Sequence, residues 1–347
     1  MNRISLLLCL TLIIPMIQSC ATAPKGIPMR NDPLIGKIVD TSTGRFITFK
    51  TLMDEITSHD IIYLSEKHDN PMQHAIQHRI IQELIDRDRL PALGFEFFAM
   101  EDTPHLLNFL DSARIDHTAK QENMIEKDLR RKLGWEKQSD TMWAYYFDLL
   151  KLGRNNGLTL AGLDISSVQK RRITRKGTPG LTSLERKQIF STHLTNPVYQ
   201  NHMEETFKAV HCGMGHGKML GKLYDTWLAR NDTMALSITQ LHDPTPPGPV
   251  VVIMGNGHTE YGLGVIDRVT AINGELSQIN LAMTEITREP SELSPYLSLL
   301  DIEGFKTVPP ADFLWFTQRV SYKDPCLEFK QVFEKMKSRK EKNFVVW

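Results

Sequence analysis

Four short, nearly unbroken apolar runs constrain this chain more than any other feature: Asp60-Ile-Ile-Tyr-Leu-Ser65, Ala92-Leu-Gly-Phe-Glu-Phe97, Leu158-Thr-Leu-Ala-Gly-Leu163 and Pro249-Val-Val-Val-Ile-Met254. Runs of this kind, with no polar alternation, must be buried on both faces, as the strands of a parallel sheet are. The segments between them have helical spacing, for example Ile76, Ile80, Ile81 and Leu84 within Met72 to Arg87. Parallel neighbours need a crossover, and helices supply it. The expected fold class is therefore α/β, a parallel sheet with helices on both faces. The stretch from Asp102 to Asn155 is longer than one crossover helix needs and is expected to form a smaller, mostly helical insertion or subdomain. Three further helices are expected over Leu184 to Phe190, Tyr199 to Val210 and Lys218 to Ile238.

The residues that carry chemistry follow the runs. Glu66 and His68 come after the first, Glu96 lies at the end of the second, Asp164 follows the third, and Gly255-Asn256-Gly257-His258 follows the fourth. Ligands of open α/β sheets bind beyond the carboxyl ends of the strands. Four segments thus deliver carboxylates or imidazoles to one sheet edge, where a lone buried Glu or His would be read as structural. Glu66, His68, Glu96 and His258 are the expected catalytic or metal-ligating set. Two imidazoles and two carboxylates suit a divalent ion such as Zn, Mn or Fe. The same residues suit a general base with a histidine partner, and the sequence leaves both uses open.

Other motifs are weaker. His74 and His78 lie one helical turn apart, but no Glu sits between them as a zincin would require. His78 reads as a solvated helix face. His211-Cys-Gly-Met-Gly-His216 has unconventional spacing for a metal loop, and its glycines suit a turn between helices equally well. Lys170-Arg-Arg-Ile-Thr-Arg-Lys-Gly-Thr-Pro-Gly180 reads as a solvated basic loop.

The N-terminus addresses the chain. Arg3, an apolar run from Leu6 to Ile14, Pro15 and the small Ser19 before Cys20 form the charged, apolar and small-residue order of a secretory signal. The run is too short to span a bilayer, which takes about 20 apolar residues. Ile17-Gln18-Ser19-Cys20 is similar to a lipobox, so residues 1–19 are expected to be a lipoprotein signal peptide and Cys20 the lipidated residue. Residues 20–34 read as a tether and 35–347 as the α/β domain. The expected location is the bacterial cell envelope, lipid-anchored and in the outer membrane. Cys212 and Cys326 then remain in an oxidising compartment, either paired as a disulfide or buried as two thiols; the pair is the expectation. Forty-one basic residues balance forty-one acidic ones, and no basic stripe is present, which argues against nucleic acid as a partner.

Taken together, these motifs resemble the ChaN-like family of the haem-binding uptake and Tiki superfamily. Tyr63-Leu-Ser-Glu-Lys-His-Asp-Asn-Pro71, with His74 and Gln77, is similar to the family's Leu-Gly-Glu-x-His-x-Asn-Pro opening, and Leu93-Gly-Phe-Glu-Phe97 to its second element. His211-Cys-Gly213, Arg230-Asn-Asp-Thr-Met-Ala235, Met254-Gly-Asn-Gly-His258, Ala311-Asp-Phe-Leu-Trp-Phe-Thr317 and Asp324-Pro-Cys326 follow in order. Ser65 departs from the family, standing where glycine is usual. The resemblance implies a parallel α/β fold with a smaller helical part, and an envelope lipoprotein that binds haem or iron in iron acquisition. Haem is the implied cofactor, with His74, Asn256 and His211 as expected contacts, and a homodimer is an expected assembly. Haem iron accepts His, Tyr, Met or thiolate. Tyr145, Tyr146, Tyr199, Tyr224 and Tyr261 are candidate ligands, and Trp135, Trp143 and Phe147 are either a porphyrin wall or core. The alternative is a metal-dependent hydrolase, esterase-like or protease-like, built on Glu66, His68, Glu96 and His258. A third reading, a structural or partner-binding envelope protein, treats that cluster as vestigial.

Overall fold

All four apolar runs become strands of one eight-stranded sheet, three of them central and the third run at an edge. The computed structural model describes residues 32–330, apart from 113–117, 193, 195, 214–217, 244–247, 288–291, 322, 325, 328 and 329. The signal peptide, Cys20, most of the tether and His216 lie outside the described residues. In chain order the strands are β1 (Ile38–Asp40), β2 (Arg45–Ile47), β3 (Ile61–Glu66), β4 (Ala92–Ala99), β5 (Leu160–Asp164), β6 (Val250–Gly255), β7 (Gln278–Glu285) and β8 (Phe313–Thr317). They lie in the order β2-β1-β8-β7-β3-β6-β4-β5. The six strands from β8 to β5 are parallel, and β1 pairs antiparallel with β8 and with β2.

Side-chain alternation sends successive residues to opposite faces. Ile62 and Leu64 of β3 enter one core with Val251 and Ile253 of β6, while Ile61, Tyr63, Val250, Val252 and Met254 enter the other. Each fully buried Leu or Ile contributes about 1.5–3 kcal/mol, so a register slip that moved either set into water would cost several such terms. The first core is closed by α1 (Phe49–Ile56), α2 (Pro71–Asp86), α3 (Thr103–Asp111), α4 (Ala119–Lys132) and α5 (Asp140–Asn155). Helices α3 to α5 build the helical insertion, and Leu106, Leu129, Trp143 and Tyr146 pack into the same core as the sheet rather than into one of their own. The other face carries α9 (Lys218–Leu241) and α10 (Val265–Ile272).

Helices α6 (Ser167–Lys176), α7 (Ser183–Ile189) and α8 (Pro197–Val210) complete the described set. Helix α6 corrects the expectation of a loop over 170–180. Ser166 and Gln169 form a capping box, Ile173 is buried, and the helix stops at Gly177 with φ 70°. The basic run is partnered as well: Lys170 reaches Asp164 at 2.5 Å, and Arg172 pairs with Glu185. Strands β1, β2, β7 and β8 lie outside the four apolar runs. Buried Asn280 interrupts β7, where it pairs with Ser65 Oγ at 2.8 Å. No helix among the described residues is long and apolar enough to cross a membrane.

Candidate functional site

Glu66 closes β3 in register with Gly255, the last residue of β6. Its even-numbered position turns it to the α2 and α5 side, where it is 2% exposed. A buried carboxylate needs donors, and four groups surround this one. Tyr146 of α5 donates its hydroxyl to Oε1. Gln77 of α2 donates to Oε2 at 2.6 Å, His68 Nδ1 lies 3.2 Å from Oε1, and His74 Nδ1 stands 3.4 Å from Oε2. The loop carrying His68 is pinned by Asn70, which caps α2 through Met72 N at 3.0 Å and donates to Glu285 at 2.9 Å and to the Gln318 carbonyl at 2.9 Å. Pro71 follows at the first helical position, where its missing N–H costs nothing. The Asn-Pro pair is thus the loop's anchor.

Glu96 forms the second centre. The β4–β5 ladder changes register between Phe95 and Ala99, the kind of irregularity that re-aims a side chain. Glu96 Oε1 accepts from Arg230 at 2.5 Å and faces His258 Nε2 at 3.4 Å, and Oε2 accepts the Gly255 backbone N–H at 2.6 Å. Arg230 also donates to Asp164 at 2.8 Å, so one guanidinium ties β4 at its register change to the end of β5. His258 Nδ1 is set by Asn231 Oδ1 at 2.9 Å. The next residue, Thr259, is tied by its hydroxyl to Ser65 Oγ at 2.7 Å. The Ser65 hydroxyl therefore fastens the histidine turn to β3.

Gly255 joins the two centres. A Cβ at this position would lie 2.6 Å from His68 Cε1 and 3.5 Å from Glu96 Oε2. His68 therefore rests over bare backbone between Glu66 and Glu96. Its ring meets Phe97 edge-on at 4.6 Å, and 45% of its side chain remains exposed. Burial opposes charge on this imidazole, but the Glu66 hydrogen bond and the charges of Glu96 and Glu66 raise its pKa above 6.5. Burial likewise pushes Glu96 up, yet His258, Arg230 and His68 hold its carboxyl well below the usual range. Burial and the neighbouring Glu66 charge raise the Tyr146 phenol, keeping it protonated as a donor.

The structure thus brings Glu66, His68, Glu96 and His258 together, but as two hydrogen-bonded carboxylate centres. Among the described residues no three His, Cys, Asp or Glu side chains are grouped to hold a metal ion. The expected divalent-metal set is not assembled, because the carboxylate oxygens are occupied by Tyr146, Gln77, Arg230 and the Gly255 N–H. Nor does His74 suit a cofactor contact. It is buried, one ring nitrogen meets Gln77 and the other the His68 carbonyl at 2.9 Å, and Tyr145 stacks on it at 4.5 Å. Asn256 is half-buried, with Nδ2 3.4 Å from the Met283 carbonyl and a buried, unpartnered Oδ1. Exposed His78 stays on the solvent side of α2.

Beside His258 a cleft of about 360 Å³ opens between α8, α9 and the turn after β6. Trp227 and Leu223 form one wall, Phe207 and Met203 another, and His211, Tyr261 and Arg230 also line it. Next to His211, Cys212 is bonded to Cys326, with Cα atoms 5.4 Å apart. Of the candidate tyrosines, Tyr146 serves Glu66, Tyr145 covers His74, and Tyr224 stacks on Trp227. Tyr199 and Tyr261 line the cleft. Trp135, Trp143 and Phe147 are buried in the core shared with the sheet, so they form no porphyrin wall. Sequence reasoning missed Arg230, Gln77 and Asn231 as site residues. Arg230 and Asn231 stood in the quoted Arg-Asn-Asp motif and Gln77 beside the opening signature, so the signal was present without a role.

The family described as haem-binding uptake, Tiki superfamily, ChaN matches residues 52–269. Among solved structures, one from Campylobacter jejuni described as cofacial haem binding to ChaN superposes with a TM-score of 0.59 at 17% identity, covering 80% of this chain and 95% of that one. A Bacillus cereus protein gives a TM-score of 0.40 at 15% identity, covering 68% of each chain. An erythromycin esterase in its open conformation gives 0.39 at 13%, covering 80% of this chain and 83% of that one. No curated protein matches in sequence.

Proposed function

The chain belongs to the haem-binding uptake family of the Tiki superfamily, ChaN, and from that premise we propose that it is a haem-binding envelope lipoprotein serving iron acquisition. In this reading haem is the protein's cargo, not a resident cofactor. The observation that carries the reading is the cleft beside His258. It lies at the low end of the about 300–1,000 Å³ usual for small-molecule sites, and its walls are apolar while imidazoles and two phenols stand among them. A porphyrin needs apolar faces, and its iron needs a nitrogen, oxygen or sulfur donor. Haemin titration of the purified protein tests this: a saturable Soret shift is expected, and non-saturating partition would refute it.

Lipidation at Cys20, outer-membrane residence and release of residues 1–19 belong to the same proposal. They rest on the Ile17-Gln18-Ser19-Cys20 pattern. Two or more acyl chains hold a protein stably at a membrane, whereas one does so only marginally. Metabolic labelling with a fatty acid should mark the wild type and not Cys20→Ala, and labelling of both would remove the anchor.

A second reading is favoured by the Glu66–His68 pair, which a haem carrier does not require. A carboxylate only accepts, so Glu66 fixes the proton on His68 Nδ1 and leaves Nε2 as the group able to take or give one. Hydrolysis of an ester or amide by His68 as general acid–base is the reaction class. An ester and peptide panel tests it, with activity abolished in His68→Ala; inactivity of the wild type across the panel would reject it.

A further inference from the structure

Helices α6 and α7 turn their inner sides to α9 and leave their outer sides exposed. Ile173 and Ile189 enter one small core with Leu181 and Ala229 of α9. The Arg172–Glu185 pair ties the two helices side by side. Helical winding puts Val168, Arg171 and Arg175 opposite Ile173, three and four residues apart along one side of α6. Leu184 and Lys187 stand in the same way opposite Ile189 on α7. All of these outer side chains are exposed, Val168 by 56% and Leu184 by 67%. An aliphatic followed three residues later by a base is thus repeated on adjacent helices.

Charge sets this face apart. Residues 166–190 hold seven basic side chains and one acid, in a chain whose charges cancel overall. The order of residues shows no stripe because only the winding of α6 and α7 collects the bases on one side. Neighbouring carboxylates are already held: Asp164 by Lys170 and Arg230, Glu185 by Arg172, and Asp225 by the Thr178 N–H. Arg171, Arg175 and Lys187 enter no ion pair among the described residues. Arg171 and Arg175, one turn apart, repel each other, and an anionic surface laid against them would reverse that cost.

The spread of the bases over two helices, with exposed aliphatics among them, fits a surface better than a single small anion. At the headgroup boundary of a bilayer, phosphates meet the bases while apolar side chains reach the acyl region. The tether begins on the same side of the sheet. Leu34 packs with Ala282, Leu314 and Phe316. Register sets Ala282 beside Ser65 and Leu314 beside Ala282, on the Tyr63 face that α9 covers. The dozen residues from Cys20 to Asp32 reach at most about 40 Å, so an anchored chain would keep this side near the bilayer.

We propose that the outer face of α6 and α7 docks on the anionic lipid headgroups of the membrane that carries the anchor. The proposal rests on the lipoprotein reading above for the presence of that membrane.

The test is cosedimentation of the full chain carrying Cys20→Ala, so that no acyl chain contributes, with vesicles of phosphatidylcholine alone or with about a third phosphatidylglycerol. Any apolar pull from residues 1–19 is common to both. Anionic vesicles should bind at least about tenfold more tightly, and salt at about 0.5 M should abolish the difference. Adding Arg171→Glu, Arg175→Glu and Lys187→Glu should bring binding down to the neutral-vesicle level. Circular dichroism checks folding, and the corresponding Gln variant carries the result if Glu disturbs it. The same charge change on the α4 side, Lys120→Glu, Lys127→Glu and Lys137→Glu, should keep the preference; an equal loss in both variants overturns the face. Equal binding to the two vesicle types overturns the proposal, and salt-sensitive binding of poly-L-glutamate in its place would give the face to an acidic protein. Fatty-acid labelling of Cys20 without a vesicle preference removes this surface alone, whereas a vesicle preference without labelling removes the anchor alone.

Discussion

His68 sits 3.2 Å from Glu66 through Nδ1 and lies so close over Gly255 that no Cβ fits beneath it. His68 thus joins the end of β3 to the end of the adjacent β6, and its charge follows from that geometry. In Glu66→Gln the hydrogen bond to a charge is lost, and the His68 pKa should fall by at least about one unit. NMR titration of the imidazole measures it. Because the folded value is raised, the imidazolium contributes stability fully below pH 6.5, and that contribution fades as pH rises through the folded pKa. An unshifted titration in Glu66→Gln would show that the contact has no electrostatic weight.

Gly255→Ala tests the close approach directly. The added methyl meets His68 Cε1 at 2.6 Å, and the half-exposed ring can swing out, so the fold should survive. Its imidazole should then titrate near the ordinary value. If the His68 titration matches the wild type, the ring does not rest where the structure places it.

Arg230 holds two buried carboxylates, Glu96 and Asp164. Removing one partner of a buried pair leaves charge uncompensated, at a cost of about 3–5 kcal/mol. Arg230→Met should lose about that much in urea denaturation, and Glu96→Gln in the same background should recover part of it. Asp164 keeps Lys170, so the loss should sit at the lower end. Glu96, depressed by its partners, contributes stability above the ordinary carboxylate range and loses it as pH falls through its folded pKa. A loss below about 1 kcal/mol, the scale of a surface pair, would contradict the clamp.

The Cys212–Cys326 bond closes a loop of 114 residues in sequence separation. Such a crosslink restricts the unfolded chain and is worth about 2–4 kcal/mol. Cys212→Ser should lower stability by that order under oxidising conditions and change nothing once reductant is present in both samples. Equal stability of variant and wild type without reductant would contradict the pairing.

The fold was legible wherever burial on both faces wrote an apolar run, as in β3, β4, β5 and β6. It was not legible in β7, because the Asn280 side chain is satisfied by the Ser65 hydroxyl and the Thr259 carbonyl, and Ser65 lies far away in sequence. The basic run at 170–176 looked like a loop for the opposite reason: two of its charges, Lys170 and Arg172, are matched by Asp164 and Glu185, which no local pattern reveals. At the site, strand ends identified Glu66, His68, Glu96 and His258, since topology alone places them. What spacing could not supply was who satisfies each carboxylate. Tyr146 and Arg230 arrive from separate helices, and their arrival turned an expected metal set into two hydrogen-bonded centres.

The central claim is that the cleft beside His258 takes haem. Haemin titration of the purified wild-type protein, followed at the Soret band, tests it most directly. The account predicts a shifted band that saturates near stoichiometric haem, and a raised melting temperature, since a ligand held only by the folded state must stabilise it. Absorption that grows in proportion to added haemin, with no shift and no stabilisation, would contradict it.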